Sequence, residues 1–301
     1  MGCLSGTPSY IGRFAPSPSG ALHFGSLLAA LASYLDARSH NGRWLLRMED
    51  LDPAREPPGA ADQILRTLDV YGLHWDGDVV YQSTRLDAYQ DALDRLEQVG
   101  LTFRCTCSRK RVHALGGVYD GKCRQRKSPP RQDYAIRMKV DDIVICVEDQ
   151  IQGLYQQQLK THCGDFILRR RDGLFAYQLA VVVDDAWQQI TDIVRGYDLL
   201  ESTPRQIWLQ SCLQLPLPRY AHLPVASNED GQKLSKQHFS RALSLTEGAN
   251  MIRQALSFLA HPVPSELSDA PVSDILPWAI RNWDIQRVPK LANIVVSPQL
   301  S

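Results

Sequence analysis

The sequence lacks any run of about 18 apolar residues, which is roughly the length that a membrane-spanning helix needs. Its N-terminus also lacks a basic stretch followed by an apolar core, so we expect no secretory signal and a cytoplasmic location. Net charge is missing too, because 33 Lys and Arg balance 33 Asp and Glu. This balance argues against a nucleic-acid binder that is basic over its whole surface, although a local basic patch stays possible.

What the sequence has is the composition of an ordinary globular protein. Its 301 residues are 44% apolar and 22% charged, enough for two domains or one elaborated domain with a large core. The seven cysteines are an odd number and follow no secretory signal. We therefore interpret them as reduced thiols, some of which are candidates for metal ligands.

Strand and helix patterns alternate over the first hundred residues. Residues 10–14 and 44–49 are typical of strands, whereas apolar residues at helical spacing predict helices over 24–35, 61–71 and 84–99. Strand–helix–strand alternation predicts an α/β fold with a Rossmann-like parallel sheet that is covered on both faces.

This alternation stops at about residue 103. Residues 134–140 and 143–147 look like the two strands of a β-hairpin, and we assign them to an inserted subdomain. Sheet-type sequence returns at 176–183, Thr203-Pro204 predicts a capped helix start, and 251–259 predicts a late helix. The expected units are the two halves of the catalytic sheet (8–102 and 174–225), the insertion (103–173) and a short helical C-terminal region (226–301).

Two motifs suggest ATP chemistry. In the first, His23-Phe-Gly25-Ser26 joins a loop to a helix N-terminus, where backbone N–H groups and the helix dipole favour an anion. Gly25 permits close approach, and His23 can donate a hydrogen bond to a phosphate oxygen. In the second, Lys233-Leu-Ser-Lys236 offers two cations for the same phosphates, with Lys236 as the main transition-state contact. Either motif alone occurs often by chance, but both in this order make a stronger signal.

A cysteine cluster suggests a metal site. Cys105, Cys107 and Cys123 lie within nineteen positions, a density typical of thiolate ligands. Zinc prefers four ligands, and the fourth candidate is His113 or Tyr119. General chemistry favours His113, because imidazole is the commoner ligand. The alternative interpretation is three buried cysteines that act as small apolar side chains.

The same region is strongly basic. Ten Lys and Arg but only two Asp lie between Arg104 and Arg137, a net charge of +8. Contact with RNA phosphates is the functional interpretation, and a solvated charged face is the alternative.

The residues Arg13-Phe-Ala-Pro-Ser-Pro-Ser-Gly-Ala-Leu-His-Phe-Gly25 resemble the first signature of the glutamyl-tRNA synthetases, which are class I enzymes. Lys233-Leu-Ser-Lys236 resembles their second signature, and the segments 46–52 and 193–196 resemble further parts of the family. The likeness extends from about residue 10 to residue 240. It implies an ATP site formed by His23, Gly25, Ser26, Lys233 and Lys236, with Mg²⁺ accompanying the ATP and with His23 and Lys236 acting in catalysis.

The resemblance also implies L-glutamate as the amino acid. The family's pocket corresponds here to Arg13, Phe14, Ala15, Pro16, Ser17, Glu49, Tyr177 and Arg195. We expect Glu49 to hold the ammonium group and Arg195 to read the side-chain carboxylate, which would reject glutamine. Asp52 is typical of a capping or solvated acid. The pair Asp184-Asp185 is ambiguous between such a role and magnesium ligation, which we leave out of the predicted site. The resemblance favours Tyr119 as the fourth ligand of a structural zinc with Cys105, Cys107 and Cys123.

Only 65 residues follow Lys236, where ordinary members of the family carry a helical anticodon-binding region. We expect that region to be absent. The sequence most resembles short paralogues that transfer glutamate to the queuosine base in the anticodon arm of tRNA(Asp). The alternatives are a compact synthetase that charges a tRNA 3′ end and a non-catalytic RNA-binding module. A module would have no need for the full set of Arg13, His23, Glu49, Arg195 and Lys236.

Overall fold

The computed structural model describes residues 10–228 and 242–296. Within these ranges the strands are β1 (Ile11–Phe14), β2 (Arg43–Met48), β3 (Val80–Tyr81), β4 (Thr102–Cys105), β5 (Ala135–Met138), β6 (Val144–Asp149), β7 (Gly153–Gln158), β8 (Ile167–Arg169), β9 (Asp192–Gly196), β10 (Arg219–Leu223), β11 (Val225–Ser227) and β12 (Asn293–Val295). The helices are α1 (Phe24–Ser39), α2 (Ala60–Val70), α3 (Leu86–Gln98), α4 (Arg109–Ala114), α5 (Leu159–His162), α6 (Tyr177–Trp187), α7 (Thr203–Leu213), α8 (Gly248–Phe258) and α9 (Val272–Asn282).

A parallel sheet forms the centre of the fold. Strands β1, β2 and β3 pair in parallel, and so do β9, β10 and β6. The N–H of Thr191, just before β9, donates to the carbonyl of Ile11 in β1 at 2.9 Å and joins the two groups of strands. The predicted α/β fold with a parallel sheet is therefore confirmed.

Helix α1 anchors this sheet to the C-terminal helices. Its residues Leu27, Leu31 and Leu35 are buried in a core shared with Trp44 of β2, and the helix contacts β1, β9, α8 and α9. At its N-terminus, Nδ1 of His23 accepts from the Ser26 N–H at 3.4 Å, so the histidine caps the helix. The core thus fixes the helix end that carries the first motif.

The predicted hairpin between residues 134–140 and 143–147 is wrong. Strand β5 pairs antiparallel with β4 and β8 in a small separate sheet, whereas β6 pairs antiparallel with β7. Strand β6 also reaches β10 of the parallel sheet, where Asp149 lies beside Tyr220. Two neighbouring strand-like segments do not reveal their partners, because tertiary packing decides the pairing. As a result, a strand from the inserted range brings Asp149 to the central sheet.

The predicted strand at 176–183 is also wrong, because this segment begins helix α6. Leu179, Ala180, Val181 and Val182 are all buried, with α3 on one side and α7 on another. A helix that is covered on several sides has no polar face, so its sequence resembles a buried strand.

The late helices follow the sequence more closely. Helix α7 begins at Thr203 as predicted, but the Thr203 hydroxyl does not cap it and donates instead to the carbonyl of Leu199 at 3.2 Å. The helix expected over 251–259 is confirmed as α8. Across the described ranges, no helix has the length and apolar character that a membrane crossing requires.

Candidate active site

A cleft of about 650 Å³ opens where β1 and β9 end, at the carboxyl edge of the parallel sheet. Ligand sites of open α/β sheets lie at this edge, because the loops that leave neighbouring strands meet there. Ten of the residues predicted from sequence line the cleft, although they come from distant segments. They are Arg13, Phe14, Ala15, Pro16, Ser17, His23, Ser26, Glu49, Tyr177 and Arg195.

A second cavity of about 180 Å³ adjoins the first at the N-terminus of α1. His23, Gly25 and Ser26 line it, together with Val225 and Ala226 of β11. Because Nδ1 of His23 accepts the capping hydrogen bond, the neutral ring carries its proton on Nε2. The predicted ATP residues from the first motif therefore share one surface at a helix N-terminus, which favours an anion.

The second motif, with Lys233 and Lys236, lies outside the described residues. The described chain on either side of this motif does reach the cleft. Strand β11 lines the second cavity before residue 228, and Ala242 forms an antiparallel bridge with His23. The N–H of Leu243 also donates to the carbonyl of Leu22 at 2.9 Å.

Arg195 lies at the wall of the larger cleft and is only 4% exposed. Its Nε donates to Nε2 of His222 at 3.0 Å, and its Nη2 donates to Oγ1 of Thr203 at 2.9 Å. Its Nη1 lies 3.5 Å from the hydroxyl of Tyr177. All three partners are uncharged. Among residues 10–228 and 242–296, no carboxylate forms a salt bridge with this guanidinium.

A buried carboxylate supports Arg195 from behind through an imidazole. Nδ1 of His222 lies 2.5 Å from Oδ2 of Asp149, and both side chains are fully buried. The other oxygen of Asp149 accepts from the backbone N–H groups of Ile151, Gln152 and His222. Burial disfavours the charged imidazole and lowers the pKa of His222 to about 4, although Asp149 opposes this shift. The ring is therefore neutral at pH 7. Its contacts with the Asp149 carboxylate and with the Nε–H group of Arg195 place its proton on Nδ1.

Arg13 also lines the cleft and belongs to a charged network. Its Nε and Nη2 donate to the two oxygens of Asp185 at 3.1 and 3.4 Å. Arg47 donates to Asp185 at 2.8 Å and to Glu49 at 3.3 Å. Burial raises the pKa of Glu49, while the charges of Arg47 and Arg13 oppose the rise. Glu49 thus reaches the cleft beside two arginines, and one of them donates to it directly.

Asp184 and Asp185 lie within helix α6 and are buried, so they are neither solvated nor capping acids. Asp184 accepts from Arg85 and Tyr89, both at 2.6 Å, while Asp185 holds Arg13 and Arg47. These contacts give both carboxylates a structural role in the arginine network.

The predicted metal ligands also come together. The three sulfur atoms of Cys105, Cys107 and Cys123 lie within 4.8 Å of one another, with 3.6 Å between Cys107 and Cys123. The hydroxyl of Tyr119 is 3.5 Å from Cys105 and 3.7 Å from Cys107. A tetrahedral zinc with Zn–S bonds of about 2.3 Å separates its sulfur ligands by roughly 3.8 Å. The four donor atoms therefore fit such an ion, whereas His113 is exposed on α4 and lies outside the cluster.

Groups around the cluster suit anionic sulfur. The N–H of Cys107 points to the sulfur of Cys105 at 3.4 Å. Burial acts to raise the pKa of Cys123, but hydrogen bonds from Tyr119 and from the Thr106 backbone outweigh it and lower the pKa to about 7. Arg137 lies 4.2 Å above the Tyr119 ring. Six basic side chains near the cluster are exposed and form what we call the basic surface: Arg109, Lys110, Lys122, Arg126, Lys127 and Arg131.

Sequence reasoning missed Asp149 and His222 and gave Thr203 only a capping role. Asp149 and His222 are 73 positions apart and share no local motif. The one available signal was chemical. His222 lies in an apolar strand two residues before Pro224, so its polar ring is expected to be buried and to need a partner.

Comparison with known proteins agrees with this geometry. The family model for tRNA synthetases class I (E and Q), catalytic domain, matches residues 11–260. A Glutamyl-Q tRNA(Asp) synthetase from Ectopseudomonas mendocina is 54% identical over 282 residues, which cover 94% of this chain and 96% of the relative. Another from Dechloromonas aromatica is 54% identical and covers 95% of this chain and 98% of the relative.

Solved structures with low sequence identity share the fold. The glutamate-tRNA synthetase from Elizabethkingia anophelis superposes with a TM-score of 0.81 at 24% identity, covering 97% of this chain and 69% of that chain. A glutamate tRNA ligase from Elizabethkingia meningosepticum gives a TM-score of 0.79 at 23% identity, with 97% and 68% covered. With the parallel sheet, the cleft and the family match together, the chain belongs to the class I tRNA synthetases of the E and Q type, in the group of the glutamyl-Q tRNA(Asp) synthetases.

Proposed function

We propose that this protein activates L-glutamate with ATP and transfers it to the queuosine base in the anticodon of tRNA(Asp). One observation supports the choice of amino acid above all others. Arg195 faces the cleft with its charge unpaired by any carboxylate in the described part of the chain, and three neutral groups hold it in place. A buried cation of this kind favours an anionic ligand group.

Glutamate would lie with its side-chain carboxylate at Arg195 and its ammonium group at Glu49. Tyr177 and Ser17 would supply neutral hydrogen bonds, and Phe14, Ala15 and Pro16 would form the wall. Arg13 keeps only part of its donor set for the ligand, because its Nε and Nη2 already bind Asp185. It would therefore act mainly through its position next to the α-carboxylate.

In the activation step, a glutamate α-carboxylate oxygen attacks the α-phosphorus of ATP. The bond to the leaving pyrophosphate breaks, and glutamyl-adenylate forms. His23 through Nε2, the backbone at Gly25 and Ser26, and Lys233 and Lys236 would stabilise the charge on the phosphate oxygens. Mg²⁺ would enter with ATP and neutralise part of the phosphate charge.

In the transfer step, a hydroxyl of the queuosine cyclopentenediol attacks the acyl carbon of the adenylate. The carbon–oxygen bond to AMP breaks, the hydroxyl proton is lost, and an ester forms. The basic surface would hold the phosphates of the anticodon arm during this step. The basic surface is exposed and lies outside the cleft, so salt screens its charges. Salt should therefore weaken the transfer step more than the activation step.

Zinc would have a structural role next to the basic surface. Cys105, Cys107, Tyr119 and Cys123 would form a closed four-ligand site, which leaves no position for substrate. We expect about one zinc per chain by elemental analysis. We also expect Cys123→Ser to lose the metal and to weaken the transfer of glutamate to the tRNA more than it weakens glutamate activation. Purified protein with no metal and full transfer activity would contradict this assignment.

The decisive test is charging of tRNA(Asp) with and without queuosine, with the attachment site mapped by nuclease digestion and mass spectrometry. We expect labelled glutamate only on the queuosine-containing tRNA, on the nuclease fragment that carries the anticodon and not on the 3′-terminal nucleotide. Equal labelling of both tRNAs at the 3′ end would show an ordinary synthetase. No ATP–pyrophosphate exchange with any amino acid would show a module without catalysis.

A further inference from the structure

We propose that His222, held by Asp149, is a positioning residue that orients Arg195 without neutralising it and so sets the preference for glutamate over glutamine. The inference rests on the proposed function, because it assigns a role within the same glutamate pocket. Its basis is the linked contact from the Asp149 carboxylate to the His222 imidazole and on to the Arg195 guanidinium.

The first step is the donor count of Arg195. A guanidinium has five N–H groups in one plane. In the described structure three of them point to His222, Thr203 and Tyr177. The other two, one on each terminal nitrogen, are available for the two oxygens of a carboxylate in the cleft. The three internal contacts therefore decide the direction in which this pair points.

The second step is the identity of the acceptor on Nε. His222 can accept on Nε2 only while its proton is on Nδ1. The Nδ1–H group donates a hydrogen bond to the Asp149 carboxylate, which favours this tautomer. Three backbone N–H groups fix Asp149 in turn. The imidazole also stacks on Tyr220, with 6.2 Å between the ring centroids and a 12° angle between the planes. The acceptor therefore has one orientation.

The third step concerns charge. A carboxylate in direct contact with Arg195 would orient it equally well, but it would neutralise the cation. The imidazole ring separates Asp149 from Arg195, so most of the positive charge stays available to the ligand. A glutamate carboxylate accepts both N–H groups, whereas the amide nitrogen of glutamine would leave one donor facing another. An arginine that is both fixed and charged discriminates between the two.

The test is steady-state ATP–pyrophosphate exchange with His222→Phe, which keeps an aromatic ring against Tyr220 but has no acceptor, and His222→Gln, which restores one. We expect His222→Phe to raise the KM for glutamate about 10- to 100-fold, since it removes a hydrogen bond to a charged group. The KM for ATP should stay within about twofold and the preference for glutamate over glutamine should fall. His222→Gln should recover most of both losses.

The matched control is His261→Phe. His261 is also buried and also stacks on a neighbour, Trp283 at 4.5 Å, but it lies in the C-terminal region away from the cleft. His261→Phe should lower the melting temperature of the protein without changing the KM for glutamate. If His222→Phe behaves in the same way, His222 is only structural and the inference is wrong.

A spectroscopic readout on the unmodified protein covers the case in which His222→Phe does not fold. In ¹⁵N-histidine spectra at pH 7, assigned through the signal lost in His222→Gln, we expect a neutral His222 ring with its proton on Nδ1. A charged ring, or a proton on Nε2, would overturn the inference. Absence of glutamate-dependent exchange in the wild-type protein would instead defeat the proposed function itself.

Discussion

Arg13 and Arg195 line the same cleft from the contacting strands β1 and β9, yet the groups that surround them differ. Both side chains are 4% exposed. Arg13 donates two hydrogen bonds to the Asp185 carboxylate, and a second arginine, Arg47, shares that carboxylate. Arg195 binds three neutral groups in the described structure, and Asp149 supports it only through the His222 imidazole.

Burial and residue type therefore do not decide what an arginine does. The charge of Arg13 is balanced within the protein by Asp185, which leaves Arg13 only part of its donor set for a ligand. We propose that the charge of Arg195 is left for a ligand at a cost in stability, because a buried cation with no counterion among the described residues is unfavourable. A site that binds an anion justifies such a cost.

The largest expected effect tests the ligand side of this comparison. Replacing Arg195 with Met keeps much of the apolar stem but removes every donor. We expect kcat/KM for glutamate to fall about 1,000-fold, because the loss of one partner from a buried charge pair costs roughly 2–5 kcal/mol. Exchange assays measure this directly. A fall of less than about tenfold would mean that the side-chain carboxylate lies elsewhere.

The next effect tests the structural side. Asp185→Asn removes the charge that Arg13 and Arg47 share, and we expect the free energy of unfolding to fall by about 3 kcal/mol. Urea denaturation measures the change. Asp172→Asn is the control, since Asp172 is half exposed and pairs with Arg170 at the surface. That variant should lose at most about 1 kcal/mol. Equal losses would remove the distinction between the two sites.

A pH series tests the imidazole between Asp149 and Arg195. The folded-state pKa of His222 is lowered to about 4, so the unfolded chain takes up the proton first as the pH falls below about 6.5. Stability should therefore decrease between about pH 6.5 and pH 4, by at most about 1.4 kcal/mol per pH unit for one proton. Asp149, Arg195, Asp198 and the Tyr220 ring surround this histidine.

The control for the pH series is His222→Gln, which lacks the titrating ring. The pKa of His261 is also lowered, but the variant and the wild type share that residue, so their difference isolates His222. Stability curves of the two proteins that run parallel from pH 7 to pH 4 would show that His222 does not titrate as described.

The smallest effect belongs to Arg13. In Arg13→Lys the cation stays near the cleft, and Asp185 keeps its contact with Arg47. We expect kcat/KM for glutamate to fall by less than about tenfold, while Arg195→Lys, which loses the planar fork, should cost far more. Exchange assays on the two variants under the same conditions compare them. A larger loss in Arg13→Lys would reverse the roles of the two arginines.

Much of this site could be predicted from sequence, because its residues lie in local motifs. The segment from Arg13 to Ser26 leaves a strand and enters a helix, so its place at the sheet edge follows from the pattern. Cys105, Cys107 and Cys123 are close enough in the chain for their spacing to suggest a shared ligand set, and the structure brings them together.

The features that sequence could not provide depend on distant parts of the chain. Strand β6 joins β10 across about 70 residues, and no periodicity reports such a partner. Helix α6 looked like a strand because it is buried on several sides. The contact between Asp149 of β6 and His222 of β10 exists only because these two strands pair. Long-range contacts of this kind need the folded structure.

Pyrophosphate exchange with glutamate and with glutamine shows whether Arg195 selects an anionic side chain. With equal concentrations of glutamate and glutamine supplied separately to the wild-type protein, we predict pyrophosphate exchange at least about 100-fold more efficient with glutamate. Arg195→Met should reduce that ratio toward one. Comparable exchange with glutamine in the wild type, or an unchanged ratio in the variant, would contradict the account.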